Sequence, residues 1–177
     1  DKINVEFIPY HSPELSSSYG GIQLPGPDLT NFASHRSFFG HHKYSLVGLT
    51  HTTASHQIMS SFSSILTEPV MPWDAIICTS DSVLSTLNKI IEKKADFLNH
   101  KFGVKSYSLP KFPVIPLGVN CDEFDFSDEF IQKSRNELGI NEGDIVIGYV
   151  GRLSFHAKAH HIPMYTALEN CAKQLKG

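Results

Sequence analysis

Trp73-Asp74-Ala75-Ile76-Ile77-Cys78-Thr79-Ser80-Asp81-Ser82-Val83-Leu84 decides the fold class. Ala75 to Cys78 is an apolar run of strand length, and Thr79-Ser80-Asp81-Ser82 then supplies side-chain oxygens suited to capping a helix. Apolar residues follow at helical spacing, at Val83, Leu84, Leu87, Ile90, Ile91 and Leu98. A buried strand that passes straight into an amphipathic helix is the repeating unit of a parallel α/β sheet.

The same alternation continues on both sides. Upstream, Tyr44-Ser45-Leu46-Val47-Gly48-Leu49-Thr50 reads as a strand ending at His51, and Thr52-Thr53-Ala54-Ser55 opens a helix through Ile65. Earlier still, Asp28 can cap a helix to about Phe39, with Leu29, Phe32, Ala33 and Arg36 at helical spacing. Residues 11–27 are rich in Ser, Gly and Pro and read as a loop, and Val5 to Tyr10 reads as a short strand closed by proline. Downstream, Phe112-Pro113-Val114-Ile115-Pro116-Leu117 is a proline-bracketed apolar strand, and Asp122 to Asp128 an acidic linker. Ser127 or Asp128 can cap a helix to Leu138 that Gly139 stops. Asp144-Ile145-Val146-Ile147-Gly148-Tyr149-Val150-Gly151-Arg152-Leu153 reads as a buried strand, and His160 to Leu175 as a closing helix. The expected fold is α/β, a Rossmann-like parallel sheet flanked by helices.

The bulk composition excludes several classes. The 177 residues carry a net charge of −3, with no basic excess that would mark a nucleic-acid footprint. Charged residues make up 19% and apolar ones 41%, which suits a packed domain rather than a disordered chain. No apolar run approaches the roughly 18 residues of a membrane span, and the first residues show no apolar leader. Cys78, Cys121 and Cys171 are odd in number and far apart, which favours reduced thiols and a cytoplasmic protein. Cys78 reads as a small core residue rather than a nucleophile.

In open parallel sheets, ligands sit beyond the carboxyl ends of the strands. The polar exits are Thr50-His51-Thr52, Thr79-Ser80-Asp81 and Gly151-Arg152. Arg152 offers planar, bidentate donors and Lys158 a point charge, a pair suited to a diphosphate without a metal. Gly151 lets backbone and ligand approach closely. The plain alternative is a surface ion pair at Arg152 and a solvated Lys158. His51 can donate to a sugar hydroxyl near a reacting centre, or bond a neighbouring loop. The histidines invite a metal reading, since His35, His41, His42, His51 and His56 are clustered, as are His156, His160 and His161. There is, however, no Cys-x-x-Cys and no His-Glu-x-x-His. A nucleophile elbow, a Walker loop and a Gly-x-Gly-x-x-Gly are likewise missing from the sequence.

Read in order, four pieces resemble a known family. They are His51 after a strand, Trp73 to Ser80, Val114-Ile115-Pro116-Leu117-Gly118-Val119-Asn120 with Phe124, and Gly148-Tyr149-Val150-Gly151-Arg152-Leu153 with Lys158. Together they look like a retaining glycosyltransferase of the GT-B fold, group 1 (family 4) type, over about residues 44–170. The Ile-Pro-x-Gly-Val-Asn piece resembles that family's bridge between two Rossmann-like domains. The resemblance implies that Gly151, Arg152 and Lys158 bind the donor diphosphate and that His51 lies near the donor sugar and reacting centre, with no cofactor and no metal. It implies a nucleotide-diphosphate sugar donor and a carbohydrate, lipid or protein acceptor, in carbohydrate biosynthesis, and leaves room for peripheral membrane association.

The implied domains are 1–117 as the later part of the acceptor-side domain, 118–143 as bridge and helix, and 144–177 as the opening of the nucleotide-sugar domain. The family's glycine-rich loop upstream and its paired glutamates downstream do not appear. The chain is therefore expected to be the middle of a longer enzyme, possessing one wall of the donor pocket. A catalytically silent Rossmann-like binding or assembly module is the alternative, and a metal-dependent hydrolase built on the histidines a weaker third.

Overall fold

The computed structural model describes residues 6–9, 11–53, 55–154 and 160–175. The chain divides into two compact units, Asp1–Gly118 and Val119–Gly177. Among the described residues no helix is long and apolar enough to cross a membrane.

Unit 1 is α/β. A three-stranded parallel sheet in the order β1-β2-β3 joins Gly21–Gln23 (β1), Ser45–Leu49 (β2) and Ala75–Ile77 (β3). Three helices follow the strands in turn: Thr30–Ser37 (α1), His56–Ser64 (α2) and Asp81–Phe102 (α3). Capping serines start two of them. The Ser55 side chain accepts from the Ile58 N–H and that of Ser80 from the Val83 N–H, each satisfying a donor that a helix start leaves free. At α1, Asp28 Oδ1 accepts from the N–H of Thr30 at 3.1 Å. Gly103, at φ 70°, closes α3 in the left-handed conformation, its N–H donating to the Asn99 carbonyl at 2.7 Å. The core gathers on the sheet, with Leu46, Ile76 and Cys78 of the strand segments against Leu29 and Ala33, Phe62 and Ile65, and Leu87 and Ile91.

Gly48, buried in the middle of β2, marks a close approach. A Cβ there would lie 2.8 Å from the Gly26 carbonyl oxygen and 3.0 Å from Leu29 Cδ2. The strap from Leu24 to Pro27 therefore lies directly on the sheet, held by Leu24 N–H to the Val47 carbonyl and Leu49 N–H to the Gly26 carbonyl.

Arg36 is the surprise of the core. Its position on the buried face of α1 was legible from its spacing, but its partner was not. Arg36 and Asp74 are both fully buried and form a bidentate pair, Nη1 to Oδ1 at 2.6 Å and Nη2 to Oδ2 at 2.7 Å. Nη1 also donates to the Tyr44 carbonyl at 2.8 Å. Asp74 in turn accepts the Leu46 and Met71 N–H groups, each at 2.8 Å. Buried charge is tolerated only when paired and hydrogen-bonded; Nη2 also donates to the Pro69 carbonyl at 3.3 Å, Arg36 Nε is left without a partner, and the network couples α1, β2 and the approach to β3.

Several expectations need correction. Residues 11–27 are not all loop, since Pro13–Tyr19 forms a 3₁₀ helix and β1 follows it. Of the strand expected over 5–10, residues 5 and 10 lie outside the described residues, and 6–9 form no strand. The strand over 112–117 is reduced to bridges of Lys111 with Ala75 and Val114 with Cys78. Its prolines explain this, because a proline contributes no N–H to a ladder.

Unit 2 contains Asp128–Glu137 (α4), capped by Ser127, and His161–Leu175 (α5). The acidic linker includes a 3₁₀ turn, Cys121–Phe124. The buried strand expected over 144–153 does not form. Residues 144–150 are in no strand, and Ile145 and Val150 are 85% and 101% exposed. An apolar run becomes a strand only by pairing its N–H and C=O groups with a neighbour. Among the described residues of unit 2 no named strand is available to pair with it.

The thiols divide by exposure. Cys78 is buried while Cys121 and Cys171 are exposed, and all three are free. Burial pushes the Cys78 thiol above its ordinary range, so it stays protonated and unreactive at mildly alkaline pH. With Ellman's reagent at about pH 8, Cys121 and Cys171 should react rapidly and Cys78 only on unfolding. Because the folded state holds this proton more tightly, the stability Cys78 contributes is complete below the ordinary thiol pKa. It is lost as pH rises from there through the elevated folded value.

Candidate functional site

The carboxyl edge of the unit 1 sheet is formed by three strand exits. After β1 comes the strap containing Gly26, after β2 comes Thr50-His51, and after β3 come Thr79 and Ser80 at the start of α3. Thr50 is buried and ties two exits together. Its Oγ1 donates to the Ile77 carbonyl at 2.9 Å and accepts the Thr79 N–H at 3.1 Å. The Thr50 N–H itself donates to the Ile77 carbonyl at 3.0 Å.

His51 follows immediately and is exposed. Its Cε1 lies 3.8 Å from where a Cβ on Gly26 would stand, so the imidazole flanks the β1 exit. The sequence expectation that His51 and the Thr79-Ser80-Asp81 exit share one edge of a parallel sheet is met. Asp81 lies in the first turn of α3, where a carboxylate complements the helix dipole.

The chemistry of this edge is specific. The three exits, Leu24 to Asp28, Thr50 to Thr53 and Cys78 to Ser82, together with Ile115 to Gly118 of the segment bridged to β3, contain hydroxyls, carboxylates and one imidazole, and no Lys or Arg. Such a set matches neutral hydroxyl-bearing ligands. It does not supply the fixed cations that a diphosphate needs.

The cation expected for that purpose lies in unit 2. Gly151 has φ 152°, a backbone conformation that favours glycine, and a Cβ there would come within 2.8 Å of Tyr149 Oη and push that exposed ring aside. Tyr149 Oη donates to the Arg152 carbonyl at 3.0 Å, closing the turn. Arg152 is exposed and has no acidic partner among the described residues. The surface ion pair weighed as its plain role is not formed there. Lys158, the second expected cation, lies outside the described residues, as does His156 of the second histidine group.

Among the described residues no group of three or more His, Cys, Asp or Glu side chains is disposed to hold a metal ion. The feature that sequence reasoning missed altogether is at the opposite edge. There Ser17, Gly20, His42, Lys43, Tyr44, Ser45 and Trp73 line a groove of about 500 Å³. The only signal for it was an aromatic and two basic side chains just before two predicted strands. No family model, curated protein or solved structure matches the chain.

Proposed function

We propose that this chain is part of a retaining, sugar-nucleotide-dependent glycosyltransferase of the GT-B fold, contributing the acceptor-side sheet and the opening of the donor-binding domain. The carrying observation is the separation of chemistries. The segments that leave the sheet beside His51 are rich in hydroxyls and hold no Lys or Arg, while Arg152 stands on a glycine turn in unit 2 with no acidic partner among the described residues.

In this reading the acceptor hydroxyl approaches from the His51 side. Arg152 and Lys158 neutralise the charge that develops on the departing nucleoside diphosphate. Fixed donors aimed at developing charge act without reorganising during the reaction, and so lower the barrier. His51 donates to a sugar hydroxyl at the reacting centre.

Calorimetric titration with UDP- and GDP-sugars tests the reading. Arg152→Ala should weaken donor binding roughly 10- to 100-fold, the loss of a charge-assisted hydrogen bond of about 1.5–3 kcal/mol. His51→Ala should lower sugar transfer and leave donor affinity within about twofold, since it removes a contact near the reacting centre rather than the diphosphate. Donor affinity unchanged by Arg152→Ala sinks the reading.

One observation favours the alternative of a silent Rossmann-like module for binding or assembly. Residues 145–150 are apolar, exposed and in no strand. Binding of neither sugar nucleotide would select that alternative.

A further inference from the structure

The groove at the amino edge of the unit 1 sheet lies at the end of the strands opposite to the His51 site, and its residues take no part in the glycosyl-transfer reading. Its volume of about 500 Å³ falls within the roughly 300–1,000 Å³ typical of small-ligand sites. Three chain segments wall it, and each is fixed to the next. Ser17 and Gly20 come from the 3₁₀ helix and its end, and the Gly20 carbonyl accepts the Ser45 N–H at 3.0 Å. His42 to Ser45 enter β2, and the Tyr44 carbonyl accepts from Arg36 Nη1. Trp73 enters β3 beside Asp74, whose Oδ1 accepts the Leu46 N–H. The buried ion pair thus holds two walls in register, which reduces the ordering that a ligand would otherwise have to impose.

The lining is chemically one-sided. It includes the Lys43 ammonium, the Ser17 and Ser45 hydroxyls and the His42 and Trp73 rings, and no Asp or Glu. Asp74, which follows Trp73, is fully buried, and both of its oxygens are taken by Arg36 and by two backbone N–H groups, while the Glu6 carboxylate near the 3₁₀ helix accepts the Tyr19 hydroxyl. Lys43 is exposed and has no acidic partner among the described residues. His42 and Trp73 stack at 4.3 Å between centroids and 28° between planes, an aromatic pair in the same lining as Lys43. A cation with flanking hydroxyls recognises a phosphate, and aromatic faces hold flat heteroaromatic rings by stacking.

We propose that this groove binds a flat heteroaromatic ring joined to a phosphate monoester, a ligand of the nucleoside monophosphate class. Lys43, Ser17 and Ser45 hold the phosphate, and the His42–Trp73 pair holds the ring. This goes beyond the glycosyl-transfer reading and does not depend on it.

Trp73 is the only tryptophan of the chain, so its fluorescence reports the site directly. The full chain is titrated with adenosine 5′-monophosphate, with adenosine, and with inorganic phosphate, at constant ionic strength. The expected result is a saturable fluorescence change with the monophosphate, at concentrations well below those needed for either half alone. Lys43→Gln should weaken that binding roughly tenfold, the loss of one charged hydrogen bond, with an unchanged circular dichroism spectrum. Arg152→Ala should leave it intact, which separates this site from the donor site proposed above. Three results would overturn the proposal: no saturation by about 10 mM, far weaker than specific binding requires; inorganic phosphate binding as tightly as the monophosphate; or a folded Lys43→Gln chain that binds as the parent does.

Discussion

Arg36→Met and Asp74→Asn should each destabilise unit 1 by about 3–5 kcal/mol, the cost of stranding one charge of a buried pair. For a domain of this size that corresponds to a fall in Tm on the order of 10 °C. The double replacement Arg36→Met with Asp74→Leu is the sharper experiment. Buried pairs can often be exchanged for apolar residues at little cost, but Asp74 also carries the Leu46 and Met71 N–H groups. Replacing the pair leaves those donors buried and unsatisfied, at about 1–3 kcal/mol each. The double variant should therefore remain clearly less stable than the parent. Urea denaturation followed by circular dichroism and Trp73 emission measures both effects. Parental stability in either single variant would contradict the buried network.

Gly48→Val should be the second most damaging change. Its Cβ would lie 2.8 Å from the Gly26 carbonyl oxygen and 3.2 Å from Pro27 Cα. Both contacts are backbone, so neither can yield by a rotamer change. Gly48→Ala should cost about 1–3 kcal/mol, the usual penalty of overpacking, and Val more. Because the strap it displaces includes the residue beside His51, Gly48→Ala should also disturb the carboxyl edge. Hydrogen exchange at Leu24 and Leu49, whose N–H groups hold the strap, should accelerate more than exchange within α3. Equal protection in the variant and the parent would show that the strap does not lean on Gly48.

Local chemistry explains what the sequence discloses. Ser55, Ser80 and Ser127 announce helix starts because an N-cap bond is made within three residues. The runs at Ser45–Leu49 and Ala75–Ile77 are legible because strands of a parallel sheet, covered by crossover helices, read as near-continuous apolar runs. His51 and Thr79 could be placed on one edge because parallel strands all exit the same way. What stayed hidden depends on distant partners. β1 is three residues long and two of them are exposed, so only its pairing with β2 identifies it. The charge on Arg36 is explained by a residue 38 positions away. The run 144–150 failed in the other direction, since its composition suits a strand but composition cannot supply the ladder.

Ladder groups beside β3 also set where this sheet can grow. In the segment bridged to β3, the Lys111 and Ile115 N–H groups point inward to the Asp74 and Cys78 carbonyls. Pro110 and Pro116 stand at alternate positions on the outer side, where a further strand would look for donors. That rim is blunted against templated self-assembly. Residues 144–150, by contrast, contain no proline and keep every amide hydrogen. In a crowded solution the sticky end of this molecule is that stretch, and a charged residue at Val150 would serve as its gatekeeper.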